Sequence, residues 1–178
     1  MDPIWIILLI VFGLFAAAIR ADLRAGWSRR LQRARGSKES DFKCLRGNCR
    51  NGYGEALFRN GNRYKGQYRH GRKEGQGSFT WRDGRQYTGQ WKKGRMHGKG
   101  VMTFPLGGRY EGDFVQDLKE GEGCYTWPNG GVYRGKFVGD KRNGLGTYTA
   151  PDGHQIRCIW RDDKPGRSME PVGKRPKA

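Results

Sequence analysis

The sequence predicts an all-β repeat protein, a meander of short antiparallel hairpins preceded by one N-terminal hydrophobic helix. Three observations predict it: Gly and aromatic columns that recur every 23 positions, period-two alternation inside each unit, and an uncharged run at residues 4–19. Composition agrees. Hydrophobic residues other than Gly make up 35%, and beside them stand 30 glycines and 22 aromatics. Disordered chains lack such aromatic content, and a conventional aliphatic core would need more Leu, Ile and Val than follow residue 19.

The hydrophobic run, IWIILLIVFGLFAAAI, would reach ~24 Å as a helix at 1.5 Å per residue. Spanning helices use about 17–25 apolar residues and signal-peptide cores about 7–15, so length leaves the choice open. Flanking charge is the discriminator. Only Asp2 precedes the run, whereas Arg20, Arg24, Arg29, Arg30, Arg33 and Arg35 follow it, opposed by Asp22. By the positive-inside rule, residues 1–19 are expected to form an uncleaved transmembrane anchor with the rest of the chain in the cytoplasm. The alternative is a signal peptide cleaved near Ala16, Ala17 and Ala18, with the repeats exported or lumenal. Residues 20–43 read as a basic juxtamembrane linker. In it Leu23, Trp27 and Leu31 recur every fourth position among the arginines, as an amphipathic helix lying on anionic lipid would require; a solvated linker satisfies the same composition.

The repeat columns are Tyr64, Tyr87, Tyr110 and Tyr133; Gly66, Gly89, Gly112 and Gly135; Tyr68, Trp91, Phe114 and Phe137; Gly75, Gly98, Gly121 and Gly144; Gly77, Gly100, Gly123 and Gly146; Trp81, Phe104, Trp127 and Ala150; and Gly84, Gly107, Gly130 and Gly153. Four full units occupy residues 64–155, and imperfect copies at both ends extend the array to 44–161, as capping units do. A tail, residues 162–178, carries Pro165, Pro171 and Pro176. Alternation puts Tyr64, Gly66 and Tyr68 on one side of a strand with Lys65, Gln67 and Arg69 opposite, and likewise Gly75, Gly77, Phe79 and Trp81 against Gln76, Ser78, Thr80 and Arg82. Loops over residues 70–74 and 83–86 close the hairpins. Because the alternate glycines share the aromatic side, rings from a neighbouring strand can lie over their bare backbone.

The pattern YxGxWxxGxxxGxGxxxxxxG, written here as YTGQWKKGRMHGKGVMTFPLG from Tyr87, resembles the MORN repeat (membrane occupation and recognition nexus) across residues 52–160. Asp117 and Asp140 depart from it where earlier units have Gly71 and Gly94, as do Met102 and Ala150. The resemblance implies an elongated, twisted, single-layer antiparallel sheet acting as a binding platform. Such arrays serve as phospholipid-binding or membrane-apposing modules, as dimerising scaffolds, or as appendages to enzymes such as lipid kinases.

Catalysis is not expected. His70, His97 and His154 occupy different columns without a recurring Ser, Cys or carboxylate partner, so no nucleophile and base can be paired. No cofactor is expected. Cys44 and Cys49 are the local oddity: free thiols, a disulfide, and a metal site needing two further ligands are all open at this spacing. Cys124 falls on the polar face and Cys158 replaces a repeat glycine, and neither suggests a site.

The formal charge of +18 implies an anionic partner. Two expectations follow. A membrane-apposed scaffold would touch anionic phospholipid through the juxtamembrane arginines and the polar sheet face, where Lys65, Arg69, Lys92, Arg134 and Lys136 share parity. A protein-recognition module would use an aromatic groove lined by Tyr68, Trp81, Trp91, Phe104, Phe114, Trp127 and Phe137, since an unpartnered apolar face marks a contact surface; the same rings could instead be the fold's own core. A homo-dimer is compatible with either. Nucleic-acid binding suits the charge, and the anchor argues against it.

Overall fold

A computed structural model describes residues 41–166 and the backbone of residues 170–172. The expected anchor (1–19) and most of the juxtamembrane linker lie outside the described residues, and among those described no helix is long and apolar enough to cross a membrane. Asp41–Ala178 is a compact unit by itself.

The hairpin period yields a single open antiparallel sheet. Its strands are β1 (Phe42–Gly47), β2 (Gly52–Phe58), β3 (Arg63–Arg69), β4 (Arg72–Thr80), β5 (Gln86–Lys92), β6 (Arg95–Thr103), β7 (Arg109–Val115), β8 (Leu118–Thr126), β9 (Val132–Val138), β10 (Lys141–Thr149), β11 (Gln155–Arg161), β12 (Lys164–Pro165) and β13 (Glu170–Val172). Each strand pairs with the next in sequence as far as β12, and β13 also pairs with β11, so the described parts of the tail extend that edge.

The inner face is a ladder of rings. Tyr64, Tyr87, Tyr110 and Tyr133 are fully buried, and each hydroxyl donates to the carbonyl three residues on, at 2.9–3.2 Å. Each phenol lies across the next strand's glycine, so that a Cβ at Gly77, Gly100, Gly123 or Gly146 would run into the ring. That is the arrangement the alternate glycines permit. The rings of Trp91, Phe114 and Phe137 slot between successive tyrosines edge to face, and Tyr68 and Trp160 cap the two ends against Tyr64 and Tyr133, with centroids 5.0–5.3 Å apart. Each such pair adds about 0.5–1.5 kcal/mol beyond its area burial.

The expected parity fails at one column. Gly75, Gly98, Gly121 and Gly144 do not face the rings; they sit in bulges at φ of 60–77°. In the first full unit Gly66 pairs with Gly77 and Tyr68 with Lys73, so residues 74–76 oppose Gln67 alone. The extra residues need a left-handed step, which only glycine makes without strain. The bulge also shortens the tight turn from the expected 70–74 to His70 and Gly71.

Turns at this edge are stitched from one unit to the next. The N–H groups of Gly94, Asp117, Asp140 and Asp163 donate to the carbonyls of Lys73, Met96, Lys119 and Arg142. The aspartates add a second bond, because their carboxylates accept from the N–H of Met96, Lys119 and Arg142 at 2.9–3.0 Å. Asp117 and Asp140, departures from the repeat in sequence, strengthen the joint between units while occupying a left-handed conformation at φ of 75° and 74°.

Candidate functional site

Burial separates the two candidate surfaces. Tyr68, Trp91, Phe114 and Phe137 are 1–5% exposed and belong to the ring ladder. They are interior, so this part of the expected groove is the fold's own core. Trp81, Phe104 and Trp127 keep part of their surface. Trp81 packs edge to face on Phe79 with the Arg85 guanidinium 5.2 Å above it, and Trp127 lies between Tyr125 and Tyr148 with Arg142 at 5.5 Å.

One inner-face column went unread in the sequence: Lys73, Met96, Lys119 and Arg142. These residues stand opposite Tyr68, Trp91, Phe114 and Phe137 and roof the ladder with their alkyl stems. Lys73 Nζ sits 4.5 Å from the Trp91 centroid, and Lys119 Nζ lies 5.5 Å from those of Tyr110 and Tyr125. Arg142 is 4% exposed, stacks 4.2 Å from the Trp160 centroid, and donates Nε to Asp163 Oδ1 at 3.0 Å and Nη2 to the Asp163 carbonyl. Desolvation and ring faces hold these cations as structure. A column containing Lys, Met and Arg has no residue type to detect; only the register across the turn exposes it.

The outer face is where the candidate lipid contacts sit, and Lys65, Arg69, Lys92, Arg134 and Lys136 are all exposed there. Their partners differ. Lys65 stands opposite Glu55 and Lys136 opposite Glu122, so each has a counter-charge across the strand. Arg134 faces Cys124 and Thr147. Arg69 is paired with Arg72 across its turn, and Lys92 with Arg95; the terminal unit repeats this with Arg161 and Lys164. Like charges directly opposite each other in a ladder are destabilising. Elsewhere cations find carboxylates, as in Lys99–Asp113 at 2.8 Å and Arg109–Glu111 at 2.6 Å. No ion pair is formed by Arg69, Arg72, Lys92, Arg95, Arg161 or Lys164 among the described residues; Arg95 reaches only the Gln116 amide oxygen, at 3.4 Å. The sequence held the signal for these pairs in the run Arg69, His70, Gly71, Arg72, once a two-residue turn is assumed.

Cys44 and Cys49 form a disulfide across the β1–β2 end, and Cys124 and Cys158 are free. Burial pushes the Cys158 thiol up from its ordinary value, which makes it a poor nucleophile. Among the described residues no three His, Cys, Asp or Glu groups gather as a metal site. His154 Nδ1 lies 2.8 Å from Asp152 Oδ2 in an exposed turn, and its hydrogen bonds hold that carboxylate below its ordinary range.

Comparison with known proteins matches the MORN repeat model at residues 64–84, 87–109, 110–132 and 133–155, in register with the four units described above. No curated protein matches the chain. Among solved structures, the TCP domain of Drosophila melanogaster SAS-4 (dCPAP), in complex with a proline-rich motif of Ana2 (dSTIL), is 16% identical over 60% of each chain, with a TM-score of 0.41. The wild-type TCP10 domain of Danio rerio CPAP is 16% identical over 74% of this chain and 66% of that one, with a TM-score of 0.33. The chain thus spans three fifths to two thirds of those two domains, and likeness at this level bears on no function or partner.

Proposed function

The chain belongs to the MORN repeat family, and on that premise we propose that its sheet is a non-catalytic scaffold that lays the hairpin ends of its first units against an anionic phospholipid surface. The observation that carries this is the pairing of Arg69 with Arg72 and of Lys92 with Arg95. Four exposed cations are set against one another in like-charged pairs, and none of them forms an ion pair among the described residues; the nearby carboxylates of Glu74 and Asp117 accept from backbone N–H groups instead. A negatively charged surface turns that repulsion into attraction, with each basic residue near anionic headgroups contributing about 1 kcal/mol. The hydrophobic run at 4–19 and the arginines from Arg20 to Arg35 would hold the array within reach of such a surface.

Sedimentation of residues 41–178 with anionic and with neutral vesicles, at low and moderate salt, tests the reading. Binding to anionic vesicles alone, weakened by salt and lost in an Arg69→Glu/Arg72→Glu/Lys92→Glu variant, is the expected result. Binding to neither vesicle would overturn the lipid assignment and leave a protein scaffold.

The side of the membrane has two readings. The arginines following the run favour a cytoplasmic array by the positive-inside rule. The Cys44–Cys49 disulfide favours an oxidising compartment instead. An alkaline phosphatase fused after residue 41 is active only in the second case.

A further inference from the structure

The outer face changes character along the array. At the hairpin-end positions held by Arg69/Arg72 and Lys92/Arg95, the third unit has Val115 paired with Leu118, and the fourth has Val138 opposite Lys141. Leu145 pairs with Ile159 across β10 and β11, and Val138 lies on the neighbouring strand β9, nearer the hairpin end. Val115, Leu118, Val138, Leu145 and Ile159 are each 39–48% exposed, large aliphatics on the face that the repeat otherwise keeps polar. On β9, β10 and β11 the outer positions between them are Arg134, Lys136, Arg157 and Arg161 with threonines; Glu122 of β8 stands opposite Lys136 and Glu170 of β13 opposite Arg157, which leaves Arg134 and Arg161 with no carboxylate across the strand.

This patch and the first units' cation pairs cannot serve one flat surface. Neighbouring strands rotate by roughly 20–25°, so seven steps from β3 to β10 accumulate roughly 150° between their face normals. A membrane lying on Arg69 and Arg72 is turned away from Leu145 and Ile159. The described part of the chain's own tail is committed to the edge of the sheet, where β13 pairs with β11 and sets Glu170 opposite Arg157. A second copy would bring another basic face to a basic face.

We propose that the outer face of β9–β11 is a docking surface for an acidic amphipathic segment of a partner protein. The partner's aliphatic side chains would cover Val138, Leu145 and Ile159, and its carboxylates would meet Arg134 and Arg161, which have no carboxylate opposite them. The arrangement gives specificity that charge alone lacks, because an anionic chain without aliphatic residues leaves the apolar centre wet.

The test uses the full chain in nonionic detergent and a short fluorescein-labelled peptide of Glu and Leu, with Leu recurring at i, i+4 and i+7. Anisotropy should report binding that weakens about tenfold or more in Leu145→Ser/Ile159→Ser and in Arg134→Glu/Arg161→Glu, and that is unchanged in Arg69→Glu/Arg72→Glu. All substituted side chains are exposed, and circular dichroism before titration confirms the fold of each variant. The assignment is overturned by no binding, or by equal binding of the matched peptide with Gln for Leu or of a thymidine oligonucleotide. Anionic-vesicle binding that falls in Leu145→Ser/Ile159→Ser would also overturn it, by making this face a lipid contact.

Discussion

Gly100 has almost no latitude, because the Tyr87 ring occupies the space that a side chain there would take. Gly100→Ala must push that ring off the backbone, and Tyr87 also anchors Trp91 and Phe114. Overpacking of this kind costs about 1–3 kcal/mol, so the urea midpoint should fall with the m-value held. An unchanged midpoint would show that the ring is not seated there. Asp140 makes the opposite case, of a residue that outperforms the consensus glycine. Asp140→Ala removes the acceptor for the Lys119 N–H and leaves a Cβ in the left-handed region, for a loss of about 2–3 kcal/mol. Asp140→Gly keeps the conformation that Gly71 and Gly94 adopt at the same point of the repeat, and should cost about 1 kcal/mol. If the two variants melt together, the left-handed conformation adds no cost, and if Asp140→Gly melts with the parent protein, the carboxylate bond contributes nothing.

Among the elements, the C-terminal cap depends most on a single contact. Arg142 and Asp163 bind through both side chain and backbone, with side-chain exposures of 5% and 22%, and this joins the β11–β12 turn to the start of β10. Asp163→Ala strands a buried guanidinium, a loss of about 3–5 kcal/mol. Met96 occupies the equivalent position two units earlier without a charge. Adding Arg142→Met to Asp163→Ala should therefore recover most of the loss; no recovery would mean that the pair itself, and not the stranded charge, holds the cap. Much of this scale was readable from the sequence. The 23-residue period located every hairpin of the four units, and the shared parity of Tyr64 and Gly66 announced ring-over-glycine packing. The bulges at Gly75, Gly98, Gly121 and Gly144 were not readable, because strict alternation admits no extra residue. Nor was the burial of Trp91 and Phe114: periodicity reports which face a ring is on, and only the geometry of the ladder shows that neighbouring rings and the stems of Lys73 and Lys119 close over it. The paired cations at the turns waited on the same register.

At the scale of the whole array, the ladder couples every unit to its neighbours through tyrosines whose hydroxyls are out of water. Burial pushes the Tyr133 phenol up to about 12, and it raises Tyr64, Tyr87 and Tyr110 as well, with nearby carboxylates adding to the rise at Tyr110. A raised phenol keeps its proton in the folded state at a pH where the unfolded chain has released it. The folded state then binds more protons, and stability falls as pH climbs. The contribution is whole below pH 10, the ordinary tyrosine value, and is lost as pH passes upward through 12. Four such groups lie on one continuous ladder, so their losses should arrive together: phenolate absorbance and loss of β-sheet dichroism are expected to rise in a single steep transition above pH 10. Tyr87→Phe removes one of the titrating groups and should make that transition shallower, at the cost of the hydroxyl's bond to the Gln90 carbonyl. Phenolate formation that runs to completion while the sheet dichroism stays intact would show that the ring ladder is open to solvent, and would return Tyr68, Trp91, Phe114 and Phe137 to the surface as groove.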